Sequence, residues 1–267
     1  MNSVVNWYEK YDEDSRLTTN KARRVEFIVS TRILDGYMNP DDYILDVAAG
    51  TGIYTFYYAR KGHNVLATDL TPKHIQIINN KLNDEYKGFH IKAEVNNAID
   101  LSMFEDNQFD TVLCFGPIYH LIEVDDRKRC INECLRVLKE GGILAIAYIN
   151  KHYIIPHILA EYNKNVLRDS VIKKVIDNGV IKAGEEDCFW TDAYFSSPIE
   201  MEEFLDEFNV KIIEHVATDG ISTLLGRVID DMTEDEYKTW IDYQLKTCRE
   251  KSILGISNHG LIICRKI

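Results

Sequence analysis

Residues 43–55, YILDVAAGTGIYT, constrain the fold more than any other stretch. A short apolar run (Ile44, Leu45, Val47) ends in small residues and glycines, and an aromatic-rich helical pattern follows. That order predicts a buried strand, a tight turn and a helix N-terminus. Gly50 and Gly52 let the backbone approach a ligand where a Cβ would intrude. The new helix offers free N–H groups and the positive end of its dipole. Asp46 sets a carboxylate just before the turn. Seventeen residues beyond Gly52 a second apolar run ends at Asp69, where a carboxylate can accept from both hydroxyls of a ribose. Together these features predict a nucleoside-bearing ligand on an α/β sheet.

The pattern then alternates as far as Tyr148. Helix is expected over 51–61, strand over 64–69, helix from Thr71-Pro72 to about 86, and strand over 89–95. Residues 109–115 are a continuous apolar run, as in a strand buried on both faces. The run breaks at Gly116-Pro117, ahead of an amphipathic helix over 125–139 and a fifth strand. Such alternation implies right-handed crossovers and a doubly wound sheet. Its ligand would lie beyond the strand C-termini, between strands one and four.

A dinucleotide fingerprint requires G-x-G-x-x-G, and Thr55 stands at its third position. The stretch instead resembles motif I of the class I S-adenosylmethionine-dependent methyltransferases, acidic-x-G-x-G-x-G. It reads Asp46-Val47-Ala48-Ala49-Gly50-Thr51-Gly52 here, with Ala48 where the family usually has its first glycine. Residues 96–101 resemble the family's third motif, with Asn97 placed to meet the adenine amine and Ala98 beside the ring. Ile118-Tyr119-His120-Leu121 resembles the turn after the fourth strand, and residues 136–148, RVLKEGGILAIAY, the turn into the fifth. The resemblance covers residues 43–149 and implies an α/β, Rossmann-like doubly wound mixed sheet. About seven strands are expected, the last antiparallel, with helices on both faces and helical cap insertions after strands five and six. It implies S-adenosylmethionine as cofactor, met by Asp46, Ala48, Gly50, Gly52, Asp69, Leu70, Asn97, Ala98 and Phe115. Methyl transfer by in-line displacement needs mainly alignment and exclusion of water. Where the acceptor must lose a proton, Tyr119 and His120 are the candidate bases, although a lone histidine also reads as a satisfied structural residue.

Beyond strand five the chain is largely helical over 152–180 and aromatic over 187–195. Ser197-Pro198-Ile199-Glu200 opens a helix with cap, proline and acid in order. Residues 210–216 read as a strand, 233–250 as a helix and 258–265 as the last strand. The organisation expected is one domain over 1–267: an N-terminal helical arm (1–42), a cofactor core (43–149) and substrate-side insertions (150–196 and 219–257). The aromatic segment with Trp7, Tyr8 and Tyr11 reads either as an anchored solvated arm or as a lid over the cleft.

A net charge of −12 argues against polyanions as obligate partners. The acceptor expected is therefore a small molecule, walled by Trp7, Tyr8, Tyr11 and Trp190; a protein or RNA acceptor, and a non-catalytic relative of the same fold, are the alternatives. Six scattered cysteines without a C-x-x-C pair suggest reduced thiols and a cytoplasmic protein. Cys130 and Cys134 fall one helical turn apart, half of a metal site at most, and are read as core; no metal is expected. The first sixteen residues lack a signal-peptide pattern, and no apolar run is long enough to cross a bilayer.

Overall fold

The structure, a computed structural model, describes residues 3–160 and 163–267. Two helices come first, α1 (Ser3–Tyr8) and α2 (Lys21–Leu34). The core follows as β1 (Tyr43–Val47), α3 (Ile53–Arg60), β2 (Asn64–Asp69), α4 (Pro72–Asp84), β3 (Ile91–Val95) and β4 (Phe109–Cys114). It continues through α5 (Pro117–His120), α6 (Val124–Val137) and β5 (Leu138–Ile149). An insertion then supplies α7 (Lys151–Ala160), α8 (Asp169–Lys173), and a two-stranded ribbon of β6 (Val180–Ile181) and β7 (Ala193–Tyr194). The chain closes with α9 (Pro198–Leu205), β8 (Val210–Ala217), α10 (Gly226–Asp230), α11 (Glu234–Thr247), α12 (Lys251–Leu254) and β9 (His259–Lys266).

The main sheet has seven strands in the order β3-β2-β1-β4-β5-β9-β8. The first five strands are parallel, β9 runs antiparallel to β5, and β8 runs antiparallel to β9. Both faces are covered because neighbouring residues of one strand alternate between two cores. Leu45, Val112, Leu144 and Ile262 pack under α6 and α9. Ile44, Leu113, Ala145 and Ile263 pack under α2, α3 and α11. The strand order reverses between β1 and β4, which opens a crevice at their C-terminal ends.

Local chemistry explains the element ends. Ser197 and Glu200 close a reciprocal capping box on α9, as do Thr233 and Glu236 on α11. The junction after α6 differs from the expectation. The helix stops at Val137 and β5 begins at once, so Gly141 and Gly142 lie inside the strand rather than ahead of it. A Cβ on Gly142 would come within 2.7 Å of the Leu138 side chain and 2.9 Å of the Asp110 carbonyl. The glycine pair thus permits an irregular bend where β5 meets β4. The ribbon β6–β7 was not anticipated, since two-residue strands carry no period.

The insertion over 150–196 has its own small core of Ile154, Val166, Val171, Ile181 and Phe195. The insertion over 219–257 behaves otherwise: α10 and α11 pack against α2, on the side of the sheet away from α6. Its first few residues, among them Asp219 and Thr223, line a cavity. The apolar stripe of α11 (Tyr237, Ile241) is buried in the core.

Candidate active site

The motif I turn follows from its backbone. Ala48, Gly50 and Gly52 all have positive φ, 66°, 56° and 89°. Ala48 is the residue for which this region is costly, since its Cβ crowds the carbonyl. Replacing it with glycine removes about 1–2 kcal/mol of strain and returns ~0.5–1 kcal/mol through the freer unfolded chain. Ala48→Gly is therefore expected to raise the thermal midpoint by roughly 1–4 °C, read by circular dichroism; a lower midpoint would show that the methyl packs usefully.

Asp46 closes β1 and is buried, with Oδ2 accepting from the Thr55 hydroxyl at 2.6 Å. Burial pushes its carboxyl up to about 7, against the Thr55 hydrogen bond and with a further push from Asp69. Asp69 closes β2. Its Oδ2 accepts from Gly50 N at 2.8 Å, and its Oδ1 from Thr71 N at 2.7 Å and His74 Nδ1 at 3.1 Å. One carboxylate thus ties the glycine turn to the start of α4. Its Oδ1 is fully used, so the two-oxygen grip expected on a ribose narrows to one lone pair on Oδ2.

Asp46, Ala48, Gly50, Asp69, Leu70, Asn97, Ala98 and Phe115 all line one cleft beyond the strand ends. Gly52 does not. Its constraint is steric: a Cβ there would lie 2.9 Å from Phe56 and 3.1 Å from Ile78, so the close approach is to the protein's own side chains. Asn97 holds its loop, accepting from Ile99 N at 3.3 Å. Two polar atoms of cleft residues, His74 Nε2 and Glu13 Oε2, are buried without a partner among the described residues. Buried polar atoms are rarely left so unless a ligand or water meets them.

The N-terminal segment lies over this cleft. Glu13 packs against Gly50, at 3.4 Å from where a Cβ would stand. Lys73 of α4 donates to the carbonyls of Glu9 (2.8 Å) and Tyr11 (3.4 Å), and Lys81 pairs with Asp14. Tyr8 reaches His120, its hydroxyl 2.9 Å from Nε2. His120 Nδ1 lies 3.0 Å from the Asp192 carbonyl, which accepts only, so Nδ1 carries the proton and Nε2 accepts from Tyr8. Burial pulls His120 down to about 4 and keeps it neutral. A base that weak, with its lone pair occupied, suits an anchor for Tyr8 better than proton removal. Burial likewise pushes the Tyr119 hydroxyl well above its ordinary range, leaving it a donor.

A second chamber adjoins the first. Trp7, Tyr11 and Trp190 line it alone, and Tyr8, Glu13, Arg16, Glu26, Tyr119 and His259 line both. The polar seam is an ionic chain: Arg16 donates to Glu13 (2.9 Å) and Glu26 (3.1 Å). His259 Nδ1 lies 3.4 Å from Glu26 and 2.8 Å from Asp219. Burial would lower His259, but Glu26 and Asp219 more than offset this and raise it. Sequence reading missed this group because positions 16, 26, 219 and 259 share no local pattern; only the fold gathers them. Cys114 of β4 similarly joins Cys130 and Cys134 of α6, all buried as free thiols in the core.

Residues 45–146 match a family model described as a methyltransferase domain. A ubiquinone biosynthesis O-methyltransferase of Xanthomonas euvesicatoria pv. vesicatoria is 30% identical over 146 residues, 54% of this chain and 56% of that protein. The chain thus spans about half the length of the curated relatives it matches. A solved S-adenosylmethionine-dependent methyltransferase of Methanosarcina mazei shares the fold with a TM-score of 0.59 at 22% identity, covering 88% of this chain and 97% of that one. So does the geranyl diphosphate C-methyltransferase of Streptomyces coelicolor A3(2), solved with Mg2+, geranyl diphosphate and S-adenosyl-L-homocysteine. Its TM-score is 0.57 at 16% identity, over 91% of this chain and 81% of that one. Residues 45–146 are thus similar to a methyltransferase domain, and the chain shares the fold of these solved methyltransferases.

Proposed function

We propose that this protein binds S-adenosylmethionine in the cleft and transfers its methyl group to a small-molecule acceptor held in the aromatic chamber. The observation that carries the reading is the pairing of cavities: the crevice at the strand ends adjoins an aromatic-walled one, and six residues line both. That is the layout two reactants need for in-line displacement away from water. In this account Asp69 Oδ2 takes a ribose hydroxyl, Asn97, Ala98 and Leu70 border the adenine, and Asp46 faces the methionine ammonium. The arm from α1 to Arg16 is the cover, latched by Tyr8 on His120. An acceptor of this size also agrees with the acidic surface and with the small-molecule relatives.

The test is calorimetry with S-adenosylhomocysteine, followed by mass spectrometry of small hydroxylated and amine acceptors incubated with the methyl donor. Binding and a product 14 mass units heavier are expected (one CH2, the net gain of methyl for hydrogen). Absence of binding at millimolar ligand would refute the reading. The latch has its own test. Tyr8→Phe removes one hydrogen bond of about 1 kcal/mol, so S-adenosylhomocysteine should bind roughly 5-fold more weakly, with faster proteolysis of the first sixteen residues. Unchanged affinity and cleavage would show that Tyr8 latches nothing.

A further inference from the structure

We propose that Glu26, Asp219 and His259 form a binding site for a divalent first-row transition cation at the seam between the two cavities. The geometry is that of a preformed triad. Ligand atoms sharing a cation at bonds of about 2.1 Å stand about 3.0 Å apart at right angles and about 3.4 Å apart in a tetrahedron. His259 Nδ1 lies 2.8 Å from Asp219 Oδ2 and 3.4 Å from Glu26 Oε2, and the three ligand atoms all lie within 4.8 Å of one another.

A second observation points to the same spot. Asn258 is buried, lines the same chamber, and its Oδ1 has no partner among the described residues. Its amide lies 3.3 Å from His259 Nδ1. Turned about its last bond, the amide presents Oδ1 as a fourth donor. Asp219 is already oriented from behind, its Oδ1 accepting from Ser257 Oγ (2.8 Å) and His259 N (3.0 Å), while Arg16 steadies Glu26 by donating to Oε2 itself (3.1 Å). Such outer contacts fix ligand orientation at metal sites.

One imidazole with three oxygens favours manganese, iron or zinc over magnesium or calcium. Around the seam, Glu13, Glu26 and Asp219 oppose Arg16 and Arg23, so a dication leaves one positive charge for an oxyanion to cancel. Its use rests on the methyl-transfer reading. The cation would bind an acceptor hydroxyl and ease loss of its proton to solvent. The oxygen then forms a C–O bond with the donor methyl as the C–S bond breaks, its electron pair passing to sulfur.

The probe is Mn2+, added to chelator-treated full-length protein and followed by calorimetry and electron paramagnetic resonance. Binding well below about 1 mM is expected, with spin-echo modulation from an imidazole nitrogen. His259→Ala should abolish the modulation and weaken binding about 10–100-fold, as should Glu26→Gln, which keeps the shape of the site; Cys134→Ser should change neither. No binding below 1 mM, or binding untouched by His259→Ala and Glu26→Gln, would overturn the proposal. S-adenosylhomocysteine titrated into the same samples separates the two claims. Its binding without Mn2+ binding removes the metal site alone, and the reverse removes the cofactor reading while the metal site stands.

Discussion

Asp69→Ala is expected to weaken S-adenosylhomocysteine binding about 100-fold or more, because it removes the carboxylate proposed to take a ribose hydroxyl and releases the turn that shapes the cleft. The carboxylate does both jobs through separate lone pairs. It accepts from the part-buried N–H of Gly50 and the buried N–H of Thr71, 19 residues and 2 residues away, and from His74. Stranding those donors costs about 1–3 kcal/mol each, so the thermal midpoint should fall by several degrees as well. Asp69→Asn separates the effects. Its carbonyl can still accept while the charge is gone, so much of the stability should return with binding still impaired. Wild-type affinity in both variants, with circular dichroism intact, would remove Asp69 from the cofactor's contacts.

The second large effect is the pH dependence set by Asp46. Its carboxyl is raised from 3.8 to about 7 in the unliganded fold, first by burial. The sign follows from linkage: the folded state binds the proton more tightly than the unfolded chain, so this group favours folding at low pH. That advantage fades as pH rises from about 4 to 7, by up to about 1.4 kcal/mol per unit. Above pH 7 the fold carries a buried, ionised carboxylate partnered by the Thr55 hydroxyl and backbone N–H. An ammonium arriving there is favourable only to the ionised form. Affinity for S-adenosylhomocysteine should therefore climb with pH from 5 to 7, by up to about tenfold per unit, and level off above. Asp46→Asn should flatten that slope, weaken binding at pH 8, and stabilise the unliganded protein there by roughly 1–3 kcal/mol. A variant less stable than wild type at pH 8 would show that the carboxylate is compensated by contacts other than Thr55.

These two carboxylates were legible in the sequence for a physical reason. Each ends an apolar strand next to a turn, so its position follows from neighbours a few residues away. The helix cap at Ser197 and the helix start at Thr233 were readable likewise. The turn at Ala48 shows the limit of such reading: the residue was visible, but its left-handed backbone was not. Gly52 carries the right letter for cofactor approach, yet its space is taken by Phe56 and Ile78. His120 has the right chemistry for a base, but its surroundings, a backbone carbonyl from residue 192 and a hydroxyl from residue 8, come from far along the chain. The ionic seam of Arg16, Glu26, Asp219 and His259 exists only because β9 and the loop after β8 return beside α2. No period or spacing announces a contact between residues more than two hundred positions apart.

The most direct measurement is a crystal structure of the protein grown with saturating S-adenosylhomocysteine. The account predicts the ligand across the β1–β4 switch point, with a ribose hydroxyl on Asp69, the adenine beside Asn97 and Leu70, and the ammonium facing Asp46. Its sulfur would point toward Tyr119 and the aromatic chamber. A cleft left empty at saturation, or the ligand bound with its sulfur turned away from that chamber, would contradict it.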